Sequence, residues 1–147
     1  MRTRIHRASP IAAATIAVAM LVAACSGGGA APATLKATCD DFAATPNVTA
    51  TAELAVGGEL TIVLCANQTT GFAWEEPVVS DPAVVGVTGS TYVEPTSEEP
   101  VVGAAGSQEI VLEALAAGTT TVTIAYSRPW DGGEKGVWTY EVAVTVR

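Results

Sequence analysis

The sequence predicts an all-β fold: an immunoglobulin-like antiparallel β-sandwich of about seven strands. Three observations predict it. From Thr51 onward, short runs rich in Val, Ile, Thr and aromatic residues recur; turn residues punctuate them; and no amphipathic helical period of any length interrupts them. Strands are expected near 51–56, 59–66, 72–77, 83–89, 107–115, 119–127 and 137–146.

Each element has its own justification. The first two runs are separated by Gly57-Gly58, and the second and third by the turn sequence Asn67-Gln68-Thr69-Thr70-Gly71-Phe72. The third carries Trp74 and ends before Asp81-Pro82, after which the fourth begins. In the fifth, Ile110, Leu112 and Ala114 oppose Glu109, Val111 and Glu113, so one face suits a core and the other suits water. Ala116-Ala117-Gly118 leads into the sixth, which runs through Thr121 to Tyr126, and Asp131-Gly132-Gly133 turns toward the seventh. There Val142, Val144 and Val146 share a face opposite Glu141 and Thr145. Trp74 and Trp138, lying on strands, are expected in the core. The stretch 92–106 differs: Glu94-Pro95-Thr96-Ser97-Glu98-Glu99-Pro100 is polar with two prolines, which predicts a long irregular loop ending in Gly103-Ala104-Ala105-Gly106.

The first thirty residues are of another kind. Met1 to Arg7 holds three arginines and no acid, the run from Ile11 to Ala24 is apolar or small apart from Thr15, and Val22-Ala23-Ala24 precedes Cys25. About fourteen apolar residues are too few for a bilayer-spanning helix but suit a lipoprotein signal peptide over 1–24 whose cleavage leaves Cys25 as an acylated, palmitate-bearing N-terminus. The competing reading is an ordinary secretory signal with an incidental Cys; under either, the domain works outside the cytoplasm. The expected location is therefore the outer face of the cell membrane, or the envelope, through a lipid anchor. Residues 25–36, with Gly27-Gly28-Gly29 and no apolar period, are expected to be a flexible tether, and 37–147 the sandwich domain, one core and a monomer.

The net charge of −8 understates the acidity of the mature chain, since Arg2, Arg4 and Arg7 leave with the signal peptide and four basic residues then face fifteen acidic ones. Nucleic acid and anionic head groups are disfavoured as partners. Of the three cysteines, Cys39 and Cys65 remain once Cys25 is acylated, and in an oxidising compartment they are expected to pair, although spacing alone does not prove the geometry. The closed loop would stabilise the fold by on the order of 3 kcal/mol.

Enzymatic chemistry is poorly supplied. The single histidine, His6, leaves with the signal peptide, so no imidazole remains for a nucleophile system or for zinc. The acid pairs Asp40-Asp41, Glu75-Glu76 and Glu98-Glu99 would point to opposite faces if on strands, and no calcium-loop spacing is present. Metal and cofactor are not expected. Asn47-Val48-Thr49 and Asn67-Gln68-Thr69 match glycosylation sequons, but beside a bacterial-type lipobox this is coincidence of composition.

Two loop segments stand out: Asn67-Gln68-Thr69-Thr70-Gly71-Phe72 and Ser127-Arg128-Pro129-Trp130. Alone, the first is an ordinary turn and a lone Trp is more often core than interface. Taken together and in order, Asn-x-Thr-Thr-Gly-aromatic, then Gly-x-x-Gly, then Ala-Ala-Gly-Thr before Tyr126-Ser127-Arg128-Pro129-Trp130 resembles the chagasin family of cysteine peptidase inhibitors, over about 57 to 146. The resemblance implies an immunoglobulin-like sandwich whose three neighbouring loops enter the cleft of a papain-like cysteine peptidase. It places Thr69, Thr70 and Gly71, flanked by Asn67 and Phe72, over the catalytic cysteine, with Arg128, Pro129 and Trp130 on one side of the cleft and Gly103 and Gly106 on the other. It also makes residues 37–147 an inhibitor domain acting reversibly and competitively. Two departures are evident: Gln68 stands where the family usually has Pro, which implies a less rigid loop, and Ala105 replaces a usual glycine. The rival readings are a lipid-anchored sandwich binding another envelope or extracellular ligand, and a structural envelope lipoprotein.

Overall fold

The computed structural model describes residues 32–96 and 103–147. The expected signal peptide, Cys25 and most of the tether lie outside the described residues, as do Glu98-Glu99 and the middle of the long loop. Among the described residues, nine strands form two sheets. One contains β1 (Ala33–Ala37), β3 (Glu59–Ala66), β6 (Val85–Val93) and β7 (Gly106–Ala114), in the order β1-β3-β7-β6. The other contains β2 (Asn47–Leu54), β9 (Trp138–Val146), β8 (Gly118–Ser127) and, both pairing with β8, the short β4 (Ala73–Trp74) and β5 (Val78–Val79).

The expected faces hold. Leu60, Ile62 and Leu64 of β3 and Ile110, Leu112 and Ala114 of β7 are buried against Val122 and Ile124 of β8 and Tyr140, Val142, Val144 and Val146 of β9. Period-two alternation across two facing sheets makes this one continuous core. Tyr140 is buried to 1% exposure, and this burial pushes its phenol pKa up.

Four expectations need correction. First, the sheets are mixed rather than antiparallel: β1 runs parallel to β3, and β2 runs parallel to β9. Long connections permit this, since a parallel neighbour cannot be reached by a tight hairpin. Second, the tether ends earlier than 36, because Ala33–Ala37 pairs with Leu60 to Leu64. Third, the first expected strand, 51–56, is shifted: β2 begins at Asn47, with Val48, Ala50 and Ala52 half-buried behind exposed Thr49 and Thr51. Its small alanines gave too weak an apolar period to mark the start. Fourth, the expected strand 72–77 shrinks to β4 at Ala73–Trp74, and pairing with β8 resumes in β5 only after Glu75-Glu76-Pro77, since proline cannot donate to a ladder.

A short helix, α1 (Cys39–Ala44), was not anticipated. It is closed by a capping box: the Thr38 hydroxyl accepts from the Asp41 N–H at 3.2 Å, and the Asp41 carboxylate accepts from the Thr38 N–H at 2.7 Å and from its hydroxyl at 2.6 Å. Asp40-Asp41 therefore lie in a helical first turn rather than on a strand. Six residues cannot hold a helix by themselves. What holds this one is Phe42, 1% exposed, together with the Cys39–Cys65 disulfide, whose Cα atoms are 5.2 Å apart.

Two outcomes follow from these anchors. Replacing both Cys39 and Cys65 by Ser should lower the unfolding free energy by about 3 kcal/mol, seen as a lower urea midpoint with an m-value at least as large as wild type, because the unlinked unfolded chain exposes more surface. The Thr38 hydroxyl, and then its N–H, hold the Asp41 carboxyl below the usual carboxylate value of 3.8, so the cap's contribution is full above that value and lost as pH falls through the lower folded-state pKa. An NMR titration of Thr38→Ala should show the Asp41 pKa moving back upward.

Candidate functional site

Three connections meet at one end of the sandwich, because Ala66 at the end of β3 pairs with Gly106 at the start of β7, and Ser127 at the end of β8 pairs with Ala73 at the start of β4. They are the β3–β4 loop with Thr69-Thr70-Gly71, the β6–β7 loop with Gly103-Ala104-Ala105 before β7, and the β8–β9 loop with Arg128-Pro129-Trp130. The structure brings the residues expected to contact a peptidase, Asn67, Thr69 to Phe72, Gly103, Gly106 and Arg128 to Trp130, to this end.

The first loop is a 3₁₀ turn over Gln68–Thr70. Asn67 caps it: its Oδ1 accepts from the Thr69 N–H at 3.1 Å and the Thr69 hydroxyl at 2.6 Å, while its carbonyl accepts from the Thr70 hydroxyl at 2.6 Å. The Gly71 N–H donates to the Gln68 carbonyl at 3.1 Å, and Gly71 closes the turn at φ 78°, a left-handed conformation that favours glycine. Gln68, in the position the family usually gives to Pro, thus belongs to a turn held by hydrogen bonds rather than by a ring. Thr69 and Thr70 are exposed at its crest.

The third loop is closed from within. Arg128 N–H donates to the Glu134 carbonyl at 2.8 Å, Gly133 N–H to the Trp130 carbonyl at 3.0 Å, and Lys135 Nζ to the Arg128 carbonyl at 2.7 Å. The Arg128 guanidinium lies over the Phe72 ring, 4.4 Å from its centroid, and 5.9 Å from the Trp130 ring. Its Nε is buried with no hydrogen-bond acceptor among the described residues, so aromatic faces meet the charge instead. Trp130 itself is 52% exposed, unlike Trp74 and Trp138, which are half-buried against the core as expected.

The glycines act differently from one another. Gly103 is exposed at φ 84° with open space around it. Gly106 opens β7, and a Cβ there would collide with the Val93 carbonyl and the Tyr92 hydroxyl, so its missing side chain is required inside the fold. At Gly71 a Cβ would come within 2.8 Å of the Trp130 ring, which shows how closely the first and third loops pack.

Sequence reasoning missed one residue of the site, Tyr126. Its ring is stacked between Phe72, at 5.5 Å, and Trp138, at 4.9 Å, and its hydroxyl accepts from the Asn67 N–H at 2.9 Å. A tyrosine on a buried strand position needs a partner for its hydroxyl, and that need was the available signal. Beneath the three loops lies an apolar cleft of about 440 Å³, walled by Cys39, Thr70, Phe72, Tyr126 and Trp138 among others.

The contrast between Gly71 and Gly132 gives a test. Both have positive φ, 78° and 74°, but only Gly71 faces another side chain within 4 Å. Alanine at either should cost about 1 kcal/mol of stability for backbone strain. Only Gly71→Ala should also shift the indole N–H resonance of Trp130.

Against known proteins, a model of the Chagasin family peptidase inhibitor I42 matches residues 53–144. Amoebiasin-2 of Entamoeba histolytica is 31% identical over 102 residues, covering 67% of this chain and 78% of that protein. Chagasin of Trypanosoma cruzi is 38% identical over 90 residues, covering 56% and 76%. Among solved structures, the cysteine protease inhibitor EhICP2 from Entamoeba histolytica superposes with a TM-score of 0.62 at 26% identity, over 78% of this chain and 96% of that one. PbICP-C, solved in complex with falcipain-2, has the same fold, with a TM-score of 0.56 at 21% identity over 78% and 99%. Since the family model spans more than half of the sequence, this chain belongs to the chagasin family of peptidase inhibitors.

Proposed function

We propose that this protein is a reversible, competitive inhibitor of papain-like cysteine peptidases, not an enzyme, and that it blocks the active-site cleft with its three clustered loops. The observation that carries the reading is the joint geometry of the loop end: a capped Thr-Thr-Gly turn whose Gly71 packs closely against an exposed Trp130. Family membership, and the complex that PbICP-C forms with falcipain-2, support it.

The physics suits such a role. A peptidase cleaves a segment it can hold extended, whereas the crest at Thr69-Thr70 is wound as a 3₁₀ turn whose N–H groups are already bonded inside the loop. It fills a cleft without offering a substrate strand. The loops are formed before docking, so little ordering entropy is lost on binding. Trp130 contributes a large, stiff contact surface beside Arg128 and Pro129. On this reading Thr69, Thr70 and Gly71 face the catalytic cysteine, Arg128, Pro129 and Trp130 lie along one wall, and Gly103 faces the other.

The lipid anchor belongs to the same proposal. Acylated Cys25 would hold the domain at the outer face of the membrane through a tether that ends where β1 begins, at Ala33. The acidic surface keeps the domain in solution above an anionic leaflet.

Initial rates of a papain-type peptidase on a small substrate, titrated with chain 26–147, test the function. Competitive inhibition at micromolar concentration or tighter is expected; none across several such enzymes would favour a sandwich that binds another ligand. Trp130→Ala should raise the inhibition constant about thirtyfold, or about 2 kcal/mol. A change within twofold would remove Trp130 from the contact.

A further inference from the structure

We infer, resting on the inhibitory function proposed above, that Asn67 does not touch the peptidase but is a positioning residue: a latch that holds segment 103–105 against the Thr-Thr-Gly turn, with the Tyr126 hydroxyl as its seat. Its polar groups are spent inside the inhibitor. Both acceptor positions of Oδ1 are taken by Thr69, through its N–H at 3.1 Å and its hydroxyl at 2.6 Å. Nδ2 donates across to the Gly103 carbonyl at 2.9 Å. The Asn67 N–H donates to Tyr126 at 2.9 Å, and its carbonyl accepts from the Thr70 hydroxyl at 2.6 Å and the Thr70 N–H at 3.2 Å. A residue recognising a partner would need free donors and acceptors, and this side chain retains one N–H.

The latch matters because little else joins the two loops. Among the described residues, no other hydrogen bond connects the β3–β4 loop with the segment 103–105. Below them lies the 440 Å³ cleft, with Asn67, Thr70, Ala105 and Tyr126 on its walls. Gly103, at φ 84° in open space, has no steric reason to stay where it is. One amide-to-carbonyl bond thus sets the width between the crest of the turn and the far wall of the binding end. If that bond opens, only a fraction of molecules presents both loops in binding register, and the apparent affinity falls by that fraction.

Asn67→Asp isolates the latch. Aspartate keeps the cap and both acceptors for Thr69 but has no N–H to give, and it sets a carboxylate oxygen against the Gly103 carbonyl. Tyr126→Phe is the second variant, keeping the aromatic stack while removing the seat. Two measurements on chain 26–147 decide the matter: backbone 15N order parameters of Gly103, Ala104 and Ala105 in the free inhibitor, and the inhibition constant with its association rate against a papain-type peptidase. For both variants the order parameters of Gly103 to Ala105 should fall while the unfolding midpoint of Asn67→Asp stays near wild type. The inhibition constant should rise about tenfold, carried mainly by slower association. Weaker inhibition with unchanged order parameters would make Asn67 a direct contact and overturn the latch. Lower order parameters with an inhibition constant within twofold of wild type would overturn its role in binding. A wild-type chain that inhibits no papain-type enzyme would defeat the function itself, a result separable from the relaxation readout.

Discussion

The loop end of the sandwich depends on one column of stacked rings. Phe42 of α1 stacks on Trp138 at 4.9 Å, Trp138 on Tyr126 at 4.9 Å, and Tyr126 on Phe72 at 5.5 Å, with the Arg128 guanidinium over Phe72 at 4.4 Å. Trp74 leans on both Phe42 and Tyr126 and donates its indole N–H to the Cys65 carbonyl at 2.9 Å. Each aromatic pair contributes about 1 kcal/mol beyond the area it buries. The column therefore carries rigidity from the core to the loop tips by contact at each step.

The disulfide enters this arrangement from the side. Cys65 is the penultimate residue of β3, immediately before Ala66 and the Asn67 cap, and its partner Cys39 opens the helix that supplies Phe42. One covalent link thus fixes the base of the aromatic column and the root of the Thr-Thr-Gly turn. A helix of six residues with no strong intrinsic propensity exists here because tertiary contacts hold it. Pre-organisation of this kind is what an inhibitor needs, since every loop already in its bound shape spares ordering entropy at docking.

How far the fold was legible depended on how strongly each segment alternates. Runs such as Leu60-Thr61-Ile62-Val63-Leu64 and Val142-Ala143-Val144-Thr145-Val146 carry large apolar residues at alternate positions, and their strands and buried faces lie where the sequence placed them. Weak alternation misled: β1 and β2 present mainly Ala and Thr, so one was assigned to the tether and the other begun four residues late. The helix was the plainest miss, because Thr38 and Asp41 form a capping-box pair that a sequence can show, and the all-β pattern around them masked it. For the site, Trp130, Gly71 and the two threonines stood out only jointly, because a Thr-Thr-Gly turn and an Arg-Pro-Trp segment occur in order on two separate loops, each ordinary alone. Tyr126 did not, because on a strand its ring reads as core, and only its hydroxyl's need for a partner marks it.

By itself, the sequence determined the layer architecture, the inward faces of the long strands, the turn chemistry and the two loop motifs, since all of these are local consequences of residue type and periodicity. Only the tertiary structure decided that the sheets are mixed, that Cys39 stands beside Cys65, and that Asn67 reaches Gly103, thirty-six residues away, while resting on Tyr126, fifty-nine away. Side-chain periodicity tells a strand which way to face, but it carries no information about which neighbour lies beside it or which distant carbonyl waits at the end of a side chain. Those depend on how the whole chain closes.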